Sequence, residues 1–177
     1  MYYSPRQMTV IALVATATAA SGYLLYTVIP VPGLKFALLA PLLSLMVALP
    51  LSLLRKRGAL LATCLVLAAV MGLINFLMSM AIAIAGVITE GLSWLLFRGA
   101  KTPGAIRATA ATFPTISLMI TAMIAHFVTG SRLLNVTWPV FGALVLLTQA
   151  LGLLGAWVAE QVLLPRIVLA RQRFERE

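Results

Sequence analysis

From Ala59 to Phe97 the chain carries a single charged residue, Glu90. The run is bounded by Arg55-Lys56-Arg57-Gly58 on one side and Arg98 on the other. A helix needs about 20 apolar residues to cross a bilayer. The run is therefore too long for one span and suits two short ones. The break is expected near Gly72–Ser79 (GLINFLMS), where Asn75 and Ser79 bring polarity. Composition extends this to the whole chain, which is 62% hydrophobic and 10% charged over 177 residues. Soluble domains carry about 45–50% and about 25%. An integral membrane protein is expected.

Counting along the chain gives six spans, at about 8–29, 34–54, 59–75, 80–97, 108–128 and 136–164. A basic tail follows at 165–177. Pro30, Pro32 and Gly33 close the first span. Pro41 and Pro50 predict a kink or a broken end in the second, and Pro114 lies inside the fifth. The sixth is longer than a bilayer requires, so it should tilt or project. The N-terminal segment lacks a basic cluster and a clear cleavage site, so it is kept as a span rather than a signal peptide.

The basic residues test this count. Six spans place Arg6, Arg55, Lys56, Arg57, Arg98, Lys101, Arg107, Arg166, Arg171, Arg173 and Arg176 on one side. Only Lys35 and Arg132 fall on the other. Loops rich in Lys and Arg stay cytoplasmic, so both termini are expected inside. The expected fold is all-α: one multi-pass transmembrane domain of six helices in a cell membrane. The net charge of +9 then needs no nucleic acid as partner.

Little in the chain suits catalysis. There is no Walker motif, no HExxH, no CxxC and no GxSxG. Cys64 stands alone in an apolar run without a metal-ligand partner. The chain is expected to be no enzyme and to hold neither metal nor cofactor.

Polar groups inside a membrane are candidates for function. Glu90 reads as a counter-charge or coupling residue, or as a hydrogen-bonded group at a helix crossing. Glu160 reads as pairing with a nearby cation. Gln149, mid-span, contacts a ligand or bridges helices. On the outer side the topology gathers Tyr23, Tyr26, Lys35, Asn75, Ser79, His126, Thr129, Arg132, Asn135, Thr137 and Trp138. Hydrogen-bonding groups and rings between helices suit a small-molecule pocket. An interfacial belt of Tyr and Trp is the plainer reading. Tyr26, Lys35, Asn75, Ser79, Glu90, His126, Arg132, Trp138 and Gln149 are the expected substrate-binding set.

The first span has a different character. Ala12–Tyr26 reads ALVATATAASGYLLY. Small side chains let helices pack closely in lipid, where apolar bulk gives no reason to associate. Ala15, Ala19 and Gly22 share one face and read as a docking surface, toward either the chain itself or a partner.

In layout the chain resembles the S component of energy-coupling factor (ECF) transporters, which has six short spans, inside termini and no nucleotide site. Thr9–Tyr26 is similar to that family's first helix, whose AxxxA face docks on the T subunit; Ala15 and Ala19 match the spacing. Val28–Leu34 (VIPVPGL) is similar to the loop that lids the binding site. Gly86–Arg107 (GVITEGLSWLLFRGAKTPGAIR) resembles the fourth helix and following loop of the Trep_Strep/MptaS-like branch. The resemblance implies capture of a vitamin or other micronutrient from outside a prokaryotic cell. It implies a T subunit and two ATPases as partners. Read from residues alone, a stand-alone secondary transporter using Glu90, or a structural subunit of a membrane complex, remain alternatives.

Overall fold

The computed structural model describes residues 3–28, 32–56, 58–99, 102–130 and 138–167. Leu25, Tyr26, Val28, residues 32–36, Thr129 and Trp138 are described by backbone alone. The described chain is all-helical: α1 (Pro5–Val28), α2 (Pro32–Leu54), α3 (Ala59–Gly72), α4 (Phe76–Phe97), α5 (Pro103–Thr129) and α6 (Trp138–Val158). Beyond α6, Ala159–Leu163 winds as a π-helix. α-Helical winding resumes to Ile167.

Local chemistry sets these limits. Asn75 caps α4 by accepting from the Met78 N–H. Its position moves the start of that helix to Phe76, ahead of the expected 80. Thr102 caps α5 by accepting from the Ala105 N–H. Pro103 follows at the first helical position, where its missing N–H costs nothing. That start, rather than 108, takes Arg107 into the helix. Arg98 and Gly130 end α4 and α5 in the left-handed region. α2 runs unbroken through Pro41 and Pro50, so the broken end expected there does not occur.

Five helices are long and apolar enough to span a membrane; α3 is not. Its 14 residues cover only about 21 Å, against about 30 Å of hydrocarbon. Of the six expected spans, the third is thus a short helix and the other five are long enough to cross. α3 instead lies along α4 as a hairpin turning at Leu73–Asn75, inside the range expected for the break.

Small residues bring the helices together. A Cβ on Gly86 would lie 2.6 Å from the Cβ of Cys64, so α3 and α4 touch through the missing side chain. Gly152 faces the Ala111 carbonyl and the Ser44 hydroxyl, and Gly155 lies against the backbone of Pro41. These two glycines let α6 sit on α2 and α5 at once. Such contact stabilises helices in lipid, where burying apolar area supplies no drive.

The first helix corrects an expectation. Ala15 and Ala19 belong to the core, 0% and 6% exposed, together with Val47, Ala48, Leu60 and Cys64. The face expected to turn to a partner is taken up by the chain's own α2 and α3. Hydropathy could not foresee this, because the lipid-facing and inward faces are equally apolar. The outward face of α1 carries Ala12, Leu13, Thr16, Ala17 and Ala20.

A series of polar contacts marks the end of the bundle where α1 begins and the winding beyond α6 lies. Lys56 Nζ donates to Gln7 Oε1 (3.0 Å), and the Gly58 N–H donates to Glu90 Oε1 (2.9 Å). Thr109 donates to Ser93 (3.1 Å). Arg107 grips Glu160 Oε2 through Nε (2.9 Å) and an Nη (2.7 Å). With side chains 36% and 22% exposed, that pair lies between a solvated pair worth about 0–1 kcal/mol and a charged hydrogen bond worth about 1.5–3. The π-turn aims Glu160 at Arg107.

Candidate functional site

Five helices enclose a hollow. Thr18, Ala19 and Gly22 line it from α1, Leu39 and Leu43 from α2, and Leu67 and Met71 from α3. Met78 and Ile82 line it from α4, and Phe113, Ser117 and Thr121 from α5. These positions run from the middle of each helix toward the end where α3 turns into α4. The enclosed part of the hollow has a volume of about 40 Å³, and the rest of it opens to the surroundings. Ligand sites are mostly apolar with a few placed polar groups. This lining has that character, with Thr18, Ser117 and Thr121 as its hydroxyls.

The three hydroxyls are not equivalent. Thr18 donates back to the Val14 carbonyl at 2.7 Å. So do Thr63, Thr89 and Thr148, each to the carbonyl four residues earlier. Ser117 and Thr121 make no hydrogen bond among the described residues; the buried Ser44 hydroxyl, outside the lining, is likewise unpartnered. They stand one turn apart on the same face of α5. Ser117 is only 6% exposed.

The described members of the expected substrate-binding set lie elsewhere. Asn75 is the α4 cap. Ser79 donates to the Ala68 carbonyl at 2.7 Å and so closes the α3–α4 hairpin. Gln149 accepts from Thr115 at 2.7 Å and ties α6 to α5. His126 packs edge-on against Phe127 at 5.1 Å, with Nδ1 buried and unpartnered. None of these lines the hollow. The side chains of Tyr26, Lys35 and Trp138, and all of Arg132, lie outside the described residues.

Glu90 also lies apart from the hollow. It lies two turns beyond Ile82 on α4, toward the end where α1 begins, and accepts from the Gly58 N–H. Gly58 takes φ 82 at the head of α3, and Glu90 holds that turn. Beside it, Lys56 lies 5.8 Å over the Tyr3 ring. Burial first, and the Glu90 carboxylate second, hold the Tyr3 phenol above its ordinary value of 10.0. The cluster fastens the start of α1 to the α2–α3 loop. It is structural and distant from the hollow.

No family model, curated protein or solved structure matches the chain. The site is therefore read from its own geometry. Among the described residues no group of His, Cys, Asp or Glu is placed to hold a metal ion.

Two of the residues expected to dock a partner, Ala19 and Gly22, are the ones that reach the hollow. Residues missed from sequence are Ser117 and Thr121. Their one-turn spacing on a Pro-containing helix was visible. Many other hydroxyls in the chain share such spacings, so the signal did not single them out.

Proposed function

We propose that this chain is the substrate-binding S component of an ECF-type importer in a prokaryotic cell membrane. It would capture a micronutrient from outside and deliver it by docking on a T subunit driven by two partner ATPases. The observation that carries this reading is the hollow between α1 and α5. It lies away from the end of the bundle bearing Arg6, Arg55, Lys56, Arg98, Arg107 and Arg166. If that basic end is cytoplasmic, the hollow lies toward the outer face, where a captured ligand must enter.

A stand-alone transporter coupled through Glu90 has less support, because Glu90 holds a backbone turn away from the hollow. The docking face belongs in this reading to the outward side of α1, where Ala12, Thr16 and Ala20 offer small side chains. Copurification of the tagged chain with a T subunit and two ATPases tests the assignment. A chain that never recruits an ATPase module would defeat it.

The orientation has its own test. Single cysteines at Lys35 and Arg132 should react with an impermeant maleimide from outside. Cysteines at Lys56 and Lys101 should react only after the membrane is opened. Native Cys64 is 1% exposed and should add little background. A reversed pattern would overturn the orientation.

A further inference from the structure

We infer that the hollow takes a neutral, largely apolar molecule with one hydrogen-bonding end, drawn from the bilayer rather than from water. The inference rests on reading the chain as a binding subunit and names the ligand class.

Three observations carry it. The first is charge. Among the described residues no Lys, Arg, Asp, Glu or His lines the hollow. Against these residues a carboxylate or ammonium would be buried unpaired, which costs far more than a hydrogen bond returns. The lining favours hydrocarbon, and Met71 and Met78 adapt to its shape.

The second is the pair of hydroxyls. A hydroxyl in a dry bundle normally finds a partner. In this chain the usual partner is the carbonyl four residues back, which Thr18, Thr63, Thr89 and Thr148 use. Ser117 and Thr121 do not, and both face the hollow. Two free donors one turn apart suit a ligand carbonyl, ether or hydroxyl.

The third is the rim. Met71 and Met78 flank the α3–α4 turn and line the hollow. Leu73 and Ile74 in that turn, and Phe76 at the start of α4, are 90%, 55% and 70% exposed. Turns that face water are built from Gly, Pro, Asn, Asp and Ser. Apolar side chains so placed belong in lipid. The boundary of the hollow nearest the turn thus meets acyl chains, and a ligand already dissolved there need not return to water.

Photolabelling of the full chain in lipid nanodiscs tests this. The probes are a diazirine-bearing octanol and the matching octanoic acid at a pH where it is ionised. The neutral probe should label Met71, Met78 and Phe113. Ser117→Ala with Thr121→Val should lower that labelling by about tenfold, as expected for the loss of two hydrogen bonds. Gly22→Leu should abolish it by filling the hollow. A Cβ there meets nothing within 4 Å, so the fold should survive. Adducts confined to lipid-facing residues such as Leu73 and Phe76, or equal labelling of the hollow by the ionised acid, would overturn the inference. Neither outcome depends on a T subunit or an ATPase, so the result is separable from the copurification test above.

Discussion

Alanine at position 155 is expected to cost the protein most of its folded population, although it adds one methyl group. The methyl would lie 2.5 Å from the Cα of Pro41 and 2.6 Å from its carbonyl carbon, and it would also meet the carbonyl oxygen. These are backbone atoms of α2, so no side chain can turn aside. Relief requires α2 and α6 to separate. Gly152 on the same face holds α6 against Ala111 of α5 and Ser44 of α2, so separation opens both seams. Overpacking a core costs about 1–3 kcal/mol and occasionally more; rigid backbone on both sides places this case at about 3 or above. Gly91→Ala is the matched control, because nothing lies within 4 Å of its Cβ. Exchanging a mid-helix glycine for alanine should stabilise by about 0.5–1 kcal/mol. Thermal unfolding in detergent, followed by size-exclusion chromatography, should show Gly155→Ala aggregating early and Gly91→Ala at or above the parent. Equal stability would mean that α6 does not approach α2 this closely.

Tryptophan on either face of α1 should give opposite results. At Ala15, which is 0% exposed among Val47, Leu60 and Cys64, the ring has no space. Ligand labelling and partner recruitment should be lost together with the fold. At Ala12 the ring would point outward, on the face shared with Thr16 and Ala20. Photolabelling of the hollow should persist there. Copurification with a T subunit and ATPases should fall to background, since close backbone approach needs small side chains. An Ala12→Trp chain that recruits partners like the parent would remove α1 from the docking surface.

The two positions also show what was legible in the sequence. Hydropathy located every helix, and the Asn75 and Thr102 caps explain the boundary shifts of a few residues. It could not orient the helices. In water an inward stripe differs from an outward one by polarity. In lipid Ala12 and Ala15 look alike, and the face expected to meet a partner, with Ala15 and Ala19, lies in the core instead. The described part of the expected binding set lies off the hollow for a related reason. Polar residues in the spans were read as ligand contacts. Ser79, Glu90 and Gln149 instead satisfy backbone or side-chain groups of neighbouring helices. Gly152 and Gly155 carried a usable sign, two glycines three apart on one helix, which the reading of polar residues passed over.

The shortness of α3 also constrains how the protein is made. A 14-residue helix cannot keep a stable transmembrane position by itself. Its backbone lies flush on α4 through Gly86 and Cys64, and the Ser79 hydroxyl seals the far corner. The pair is expected to enter the bilayer as one insertion unit. In a nascent chain ending at Gly72, α1 and α2 should hold in the membrane while Cys64 of α3 stays reactive to an aqueous maleimide; in one ending at Phe97, Cys64 should be protected. Protection of Cys64 in both would show that α3 inserts without help. Translation thus passes a point where the third helix waits for the fourth.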